Sequence, residues 1–302
     1  MMSTPRRAAS GEIVNAMSVD VEDHFHVSAL AAVAPRHRWD EFAPRVVDNT
    51  LRLLDIFAAA DTKATFFILG WVAARHVDLV RRIAAGGHEI ASHGFHHELV
   101  YDLSPEKFRE DVHRAKTLLE DQSGVAVRGY RAPSFSITAR NFWAFDVLIE
   151  TGHGYDASIF PVVHDRYGVP GAPRHLHVIP RSEGRIDEVP PATVRLAGVN
   201  FPIAGGGYFR LFPYGWTAWG FRRLNDSDRR PGVFYLHPWE IDPDQPRLPV
   251  SGLSRLRHYG NLQHTEQRLQ RLLREFRFAP IRDLIASNTW PETAVHYDEL
   301  AQ

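Results

Sequence analysis

The sequence predicts an α/β protein built on a parallel sheet in a single domain, and three observations carry that expectation. Between Ile13 and Gly152 four strand-helix units follow one another, an alternation that demands parallel strands joined by right-handed crossovers. Asp20, His93, Arg131 and His237 each fall at or just past the C-terminal end of an expected strand, and in a closed parallel barrel those ends share the face where sites are assembled. The length of 302 residues suits one α/β barrel or two smaller domains. With neither an internal repeat nor a linker to divide it, the chain reads as one.

After a leader at 1–12 that is expected to be disordered, Ile13 to Val19 reads as a short buried strand stopping at the acidic cluster Asp20, Val21, Glu22, Asp23. Pro44 suits a first helical turn, and Val47, Leu51, Leu54 and Ala58 recur at the spacing of an apolar helix face. Ala64 to Leu69 is a second strand. One helix follows, with Val72, Leu79, Val80 and Ile83 on its apolar face and Gly86-Gly87 as its stop. His88 to Ser92 is a third strand, and Ser104-Pro105 caps and opens a third helix that carries Phe108, Val112, Ala115 and Leu119 to Gly124. Val125 to Tyr130 is a fourth strand; Phe142, Phe145, Leu148 and Ile149 mark a fourth helix ended by Gly152.

From Gly154 to Pro213 the pattern loosens, with Ile186 to Val189 and Val194 to Phe201 as short strands and a small antiparallel element expected. Gly232 to Leu236 restores a strand ending at His237, a proline-rich loop runs to Val250, and Asn261 to Phe276 is the last strong helix. The expected organisation is thus the leader, a domain at 13–290 whose C-terminal extension covers about 230–290, and a tail at 291–302.

Composition narrows the function classes. A hydrophobic fraction of 44% and a formal charge of −1 fit neither a disordered chain nor a nucleic-acid binder. The absence of cysteine removes disulfides, thiolate zinc sites and cysteine nucleophiles together. The N-terminus lacks the apolar run of about 7 to 15 residues of a secretory signal, and no window reaches the roughly 18 apolar residues of a membrane span. The expected location is therefore the cytoplasm, with peripheral membrane contact as an option: Tyr208 to Phe221 is rich in aromatics, with Arg210, Arg222 and Arg223 nearby.

The densest chemistry lies in His88 to Glu98, where four histidines fall within ten residues. His93 and His97 flank Gly94 at metal-ligand spacing, able to aim two imidazoles at one point if the backbone turns helical there. Two imidazoles leave a divalent ion short of donors, so a carboxylate from elsewhere must complete the site, with positions left for water and substrate. Each feature alone has an ordinary alternative: exposed histidines, an acidic loop, a structural arginine, a turn histidine. Four at one face make a set.

The ordered motifs SVDVEDHF, HEIASHGFHHE, YRAPSF and FYLHPWE resemble those of the NodB-homology polysaccharide deacetylases, carbohydrate esterase family 4. The DVED and LHPWE forms and the GGGYFR segment at Gly205 to Arg210 are most similar to the exosortase-associated exopolysaccharide subgroup. The resemblance implies an irregular (β/α) barrel of the NodB-homology type and metal-dependent removal of acetyl groups from N-acetylated amino sugars of an exopolysaccharide or its precursor. Asp20 then matches the catalytic base, His93 and His97 the metal histidines, Arg131 the arginine that orients the base, and His237 the general acid. The common family form has two adjacent aspartates, base then ligand, whereas Val21 follows Asp20 here. The third ligand is then Glu22 or Asp23. Strand alternation favours Glu22, while side-chain length and an earlier strand end favour Asp23, which is preferred here by a small margin.

The implied cofactor is one divalent ion, zinc first, with cobalt, nickel or iron accepted by the same donors. Pro133, Phe135, Tyr208 and Trp239 are candidates for a wall against a sugar ring, and Asp156 or Glu240 for the partner of His237. The expected ligand is an N-acetylated glycan or lipid-linked sugar, not a nucleic acid. The competing readings are an allantoinase-like cyclic amide hydrolase, against which both metal histidines weigh, and a non-catalytic glycan-binding relative, against which Asp20 and His237 weigh.

Overall fold

The structure, a computed structural model, describes residues 13–250, 252–287 and 293–300; the expected leader and the start and end of the expected tail lie outside them. In chain order the elements are β1 (Val14–Val21), α1 (Val46–Ala59), β2 (Thr65–Ile68), α2 (Gly70–Arg75), α3 (Val77–Ala85), β3 (Glu89–Ser92), α4 (Pro105–Ser123), β4 (Gly129–Tyr130), α5 (Ala144–Glu150) and β5 (Tyr155–Asp156). There follow β6 (His177–Arg181), β7 (Gly184–Glu188), β8 (Thr193–Leu196), β9 (Val199–Pro202), α6 (Gly206–Leu211), α7 (Tyr214–Arg222), β10 (Val233–Leu236), α8 (Gly252–Tyr259), α9 (Leu262–Glu275), β11 (Arg277–Ala279) and α10 (Ile281–Ala286).

Among the described residues the main sheet runs β10-β1-β2-β3-β4-β5-β7-β6, with β11 also paired to β1. All its pairings are parallel except β6 with β7. Beyond β7 the Ala192 N–H reaches the Val233 carbonyl at 3.0 Å, so the chain leaving the far side of the sheet meets the edge strand β10. The α/β expectation holds, on a mixed and mostly parallel sheet.

Alternation along β1 sorts the side chains. Met17, Val19 and Val21 enter the large cluster between sheet and helices, with Leu53, Phe57 and Ile83. Ala16 instead joins the smaller cluster inside the curl, with Phe67, Ala91, Tyr155 and Val233, which Ile281 and Leu284 of α10 close from below. Ser18 and Asp20 continue that inward series. A polar lumen at one end of an apolar core follows from a period of two.

The structure departs from the expected elements in definite ways. The single helix before Gly86 is two, because His76 at ψ 58° breaks the hydrogen-bond ladder between α2 and α3. Only the last two residues of the fourth strand pair with β3 and β5; Val127 ahead of them is bonded to the side chain of Glu120 on α4. Val194 to Phe201 is a hairpin, with Ala197 (φ 47°) and Gly198 (φ 84°) forming its tight turn, the double positive φ that suits right-twisted strands. α4 does start and stop as read: the Ser104 hydroxyl accepts from the Lys107 N–H, and Gly124 is left-handed.

Candidate functional site

Strand ends build the first part of the site. The β1 strand reaches Val21, so Glu22 falls on the same inward side as Ser18 and Asp20. From the end of β3, His93 and His97 come in on a loop that is not helical: it turns through Gly94 (φ 71°) and His97 (φ 55°). Asp111 on α4 pins this loop by accepting the N–H groups of Phe95 (2.8 Å) and His96 (3.2 Å). A Cβ on Gly94 would sit 2.8 Å from Asp111 Oδ2, so glycine is required both for φ and for that approach.

Glu22, His93 and His97 present donor atoms that all lie within 4.8 Å of one another. Glu22 Oε2 is 2.6 Å from His97 Nε2 and 4.0 Å from His93 Nε2, with no well-directed donor on it. His93 Nδ1 donates to the Arg131 carbonyl at 2.8 Å, which fixes the tautomer and turns the Nε2 lone pair into the cluster. Burial resists the charge on Glu22, but His97, His237 and His93 outweigh it and hold the carboxyl well below its usual range. A buried anion with an unused oxygen facing two imidazoles fits a divalent cation.

The preference for Asp23 as third ligand is corrected here. Asp23 lies beyond the strand and turns away. Its Oδ2 accepts the N–H of Arg45 (2.6 Å) and Val46 (2.9 Å) at the start of α1, and its Oδ1 accepts from His24. It is spent on a helix N-terminus.

Arg131 follows β4 and is fully buried. Its Nη1 donates to Asp20 Oδ1 (2.6 Å) and Ser18 Oγ (2.9 Å), its Nε donates to the Ala157 carbonyl, and the guanidinium lies over the Phe67 ring at 4.1 Å. On the other side, His237 after β10 places Nε2 3.8 Å from Asp20 Oδ2 and 3.7 Å from Glu22 Oε1. Its Nδ1 donates to Glu240 Oε1 at 2.6 Å. Burial disfavours charge on His237, but that hydrogen bond and the charges of Glu22, Glu240 and Asp20 raise it to about 9. Asp156, the other candidate partner of His237, accepts from Ser158 and faces Glu188. Glu188 is pushed well up by burial and by the Asp156 charge.

The four candidates for a sugar wall fall in different surroundings. Trp239 is buried between His237 and His258, stacked on both, and its Nε1 donates to Glu22 Oε1 at 3.2 Å. It supports the carboxylate and has no free face. Pro133 is buried, and Phe135 packs with Phe160 and Tyr235 behind the site. Tyr208, half-buried, is the member of the four with a partly open face. Ser134 (φ 52°) and Phe135 (φ 54°) are both left-handed, a strained turn placed directly after Arg131. Arg210, noted beside the aromatic segment with an option for membrane contact, is instead buried and paired with Glu240, a role that its place in the GGGYFR segment did not disclose. Among the described residues no helix is long and apolar enough to cross a membrane.

The polysaccharide deacetylase profile matches residues 39–146, and that of a domain of unknown function, DUF3473, matches 157–286. Residues 39–146 thus carry the polysaccharide deacetylase match, joined to the DUF3473 domain. The deacetylase profile holds His93, His97 and Arg131, and the DUF3473 match holds His237 and Arg210, while Asp20 and Glu22 precede both. The chain is 28% identical over 114 residues to a peptidoglycan-N-acetylglucosamine deacetylase of Bacillus cereus, a match covering 34% of this chain and 42% of that protein. It is 29% identical over 124 residues to a chitooligosaccharide deacetylase of Bradyrhizobium, covering 40% and 54%. The chain thus spans about half the length of these curated relatives. In fold it is similar to a candidate polysaccharide deacetylase of Mycobacterium smegmatis, with a TM-score of 0.59, 19% identity, and 98% and 96% of the two chains covered.

Proposed function

We propose that this chain is a metal-dependent N-deacetylase that hydrolyses the acetamido group of an N-acetylated amino sugar, in an exopolysaccharide or its lipid-linked precursor, with zinc as the resident ion. The observation that carries the reading is the meeting, in one polar lumen, of the Glu22, His93 and His97 donors with Asp20 on Arg131 and His237 on Glu240. A divalent ion held by those donors supplies Lewis acidity toward water and the acetyl carbonyl. Asp20, oriented by the single Arg131 Nη1 contact, takes the proton of the attacking water. His237, held by Glu240 with Nε2 toward Asp20, returns a proton to the departing amine. Buried surroundings strengthen each of these interactions by excluding water. The products are acetate and a free amino sugar.

The exopolysaccharide assignment, with the exosortase-associated proteins as subgroup, rests on the DVED, LHPWE and GGGYFR forms. The test is acetate release from N-acetylglucosamine oligomers, before and after chelation. Release that chelation abolishes and zinc restores supports the reading; one bound metal per chain without release from any N-acetylated sugar contradicts it.

A further inference from the structure

We propose that Arg210 and Glu240 form a positioning relay by which the DUF3473 segment aims the proton-donating histidine, His237, so that this chain's acid is set by a buried arginine-carboxylate pair. The inference rests on the reading of His237 as the donor to the leaving amine.

Three bonds fix Glu240. Its Oε1 accepts both the His237 backbone N–H (3.0 Å) and the Nδ1–H (2.6 Å), and its Oε2 accepts from Arg210 Nε at 2.7 Å. The first of these locks the carboxylate to the His237–Glu240 turn, so the imidazole is offered one orientation and one tautomer, with Nε2 facing Asp20. Arg210, on α6, is 2% exposed. Its remaining donors go to backbone carbonyls at the C-terminal end of α8 and just past it: Nη2 to Arg257 (2.7 Å), and Nη1 to His258 (3.0 Å) and Gly260 (2.9 Å). The Asn261 side chain returns a bond to the Arg210 carbonyl at 2.9 Å. Arg210 and Glu240 are both buried, and a buried carboxylate requires a buried counter-charge. The arginine fork, unlike an ammonium, serves Glu240 and three carbonyls at once.

Arg210 is therefore a positioning residue. It touches neither substrate nor metal donor, and it acts through Glu240. A purely structural role, tying α6 to the α8–α9 turn, would change stability and every activity together; the relay predicts a selective loss.

Two measurements on the full zinc-loaded chain separate these. In protein carrying ¹⁵N-histidine, the His237 Nδ1–H should give a far-downfield proton resonance that moves upfield in Glu240→Gln and in Arg210→Met, and is partly restored in Arg210→Lys. In kinetics, Glu240→Gln should lower kcat on an N-acetylglucosamine oligomer ~100-fold and Arg210→Met ~10-fold with KM little changed, while an aryl acetate, whose phenolate leaves without a proton, is hydrolysed within ~2-fold of the parent rate. If Arg210→Met does not fold, Arg210→Lys and Glu240→Gln carry the comparison. A resonance that stays put in the folded variants, or equal losses on amide and aryl ester, overturns the relay. The resonance requires no turnover, so a parent protein that binds zinc and shows the resonance but releases no acetate counts against the deacetylase reading alone.

Discussion

The two halves of the molecule hold their functional groups by different means. Through β5 the chain alternates strand and helix, and Asp20, Glu22, His93 and Arg131 are aimed by strand ends in a parallel register, Ser18 opposite Thr65 and Ile68 opposite Ser92. From β6 onward the antiparallel β6-β7 and β8-β9 pairs interrupt that order before β10 rejoins β1 in parallel, and His237, just past β10, is turned by side chains as well: Glu240, then Arg210, then carbonyls at the end of α8. Each ion donor leans on one short support, the Arg131 carbonyl for His93, Asp111 for the His97 loop and Trp239 for Glu22, whereas the acid needs a chain of buried polar partners, each costly if left alone.

The largest effect should come from breaking the register-built half. His93→Ala removes one of three ion donors, and acetate release should fall by more than ~1,000-fold together with bound metal, read by elemental analysis. Asp20→Asn should leave metal in place and lower kcat by roughly 100- to 10,000-fold, the span of a lost general base; loss of metal in this variant would show that the base and the ion site are not separable.

Acid should strain both halves alike. Burial lowers His153 to about 3 and His177 to about 4, from 6.5. Because both fold neutral, the unfolded chain binds more protons below pH 6.5, so their contribution is complete above pH 6.5 and is lost as pH falls toward 4. For His177 that amounts to roughly 3 kcal/mol. Melting temperature against pH should flatten in His177→Gln; an unchanged slope would show that the ring is already charged in the fold.

One bond joins the halves at the ion site, from Trp239 Nε1 to Glu22 Oε1. Trp239→Phe keeps the stack and deletes the donor, and zinc affinity should weaken about 10- to 100-fold, measured by competition with a chelating dye. The smallest effect is expected for Asp23→Asn, which should cost ~1 kcal/mol at the start of α1 while leaving zinc affinity unchanged. Thermal denaturation and the same competition assay check the two parts.

The comparison also explains what the sequence disclosed. Strand ends gather distant residues by rule, so the convergence of Asp20, His93, Arg131 and His237 was legible before any coordinates. The choice between Glu22 and Asp23 was not, because it turns on whether β1 ends before or after Val21. Alternation pointed to Glu22; the shorter side chain pulled the other way. Trp239 was misread because an aromatic beside a site looks the same whether it faces a sugar or stands behind a carboxylate. Arg210 and Glu240 lie 30 residues apart, across irregular chain with no periodicity, so neither pattern nor spacing could pair them. The β11 pairing with β1 was missed for the same reason: three residues following a helix carry no alternation to read.

The most direct test of the central claim, that Glu22 with His93 and His97 forms the ion site, is calorimetric titration of zinc into the metal-free chain and its Glu22→Gln variant. One site per chain in the parent and its disappearance in Glu22→Gln is the predicted result. Parent-like binding by Glu22→Gln would place the ion elsewhere and remove the basis of the proposed chemistry.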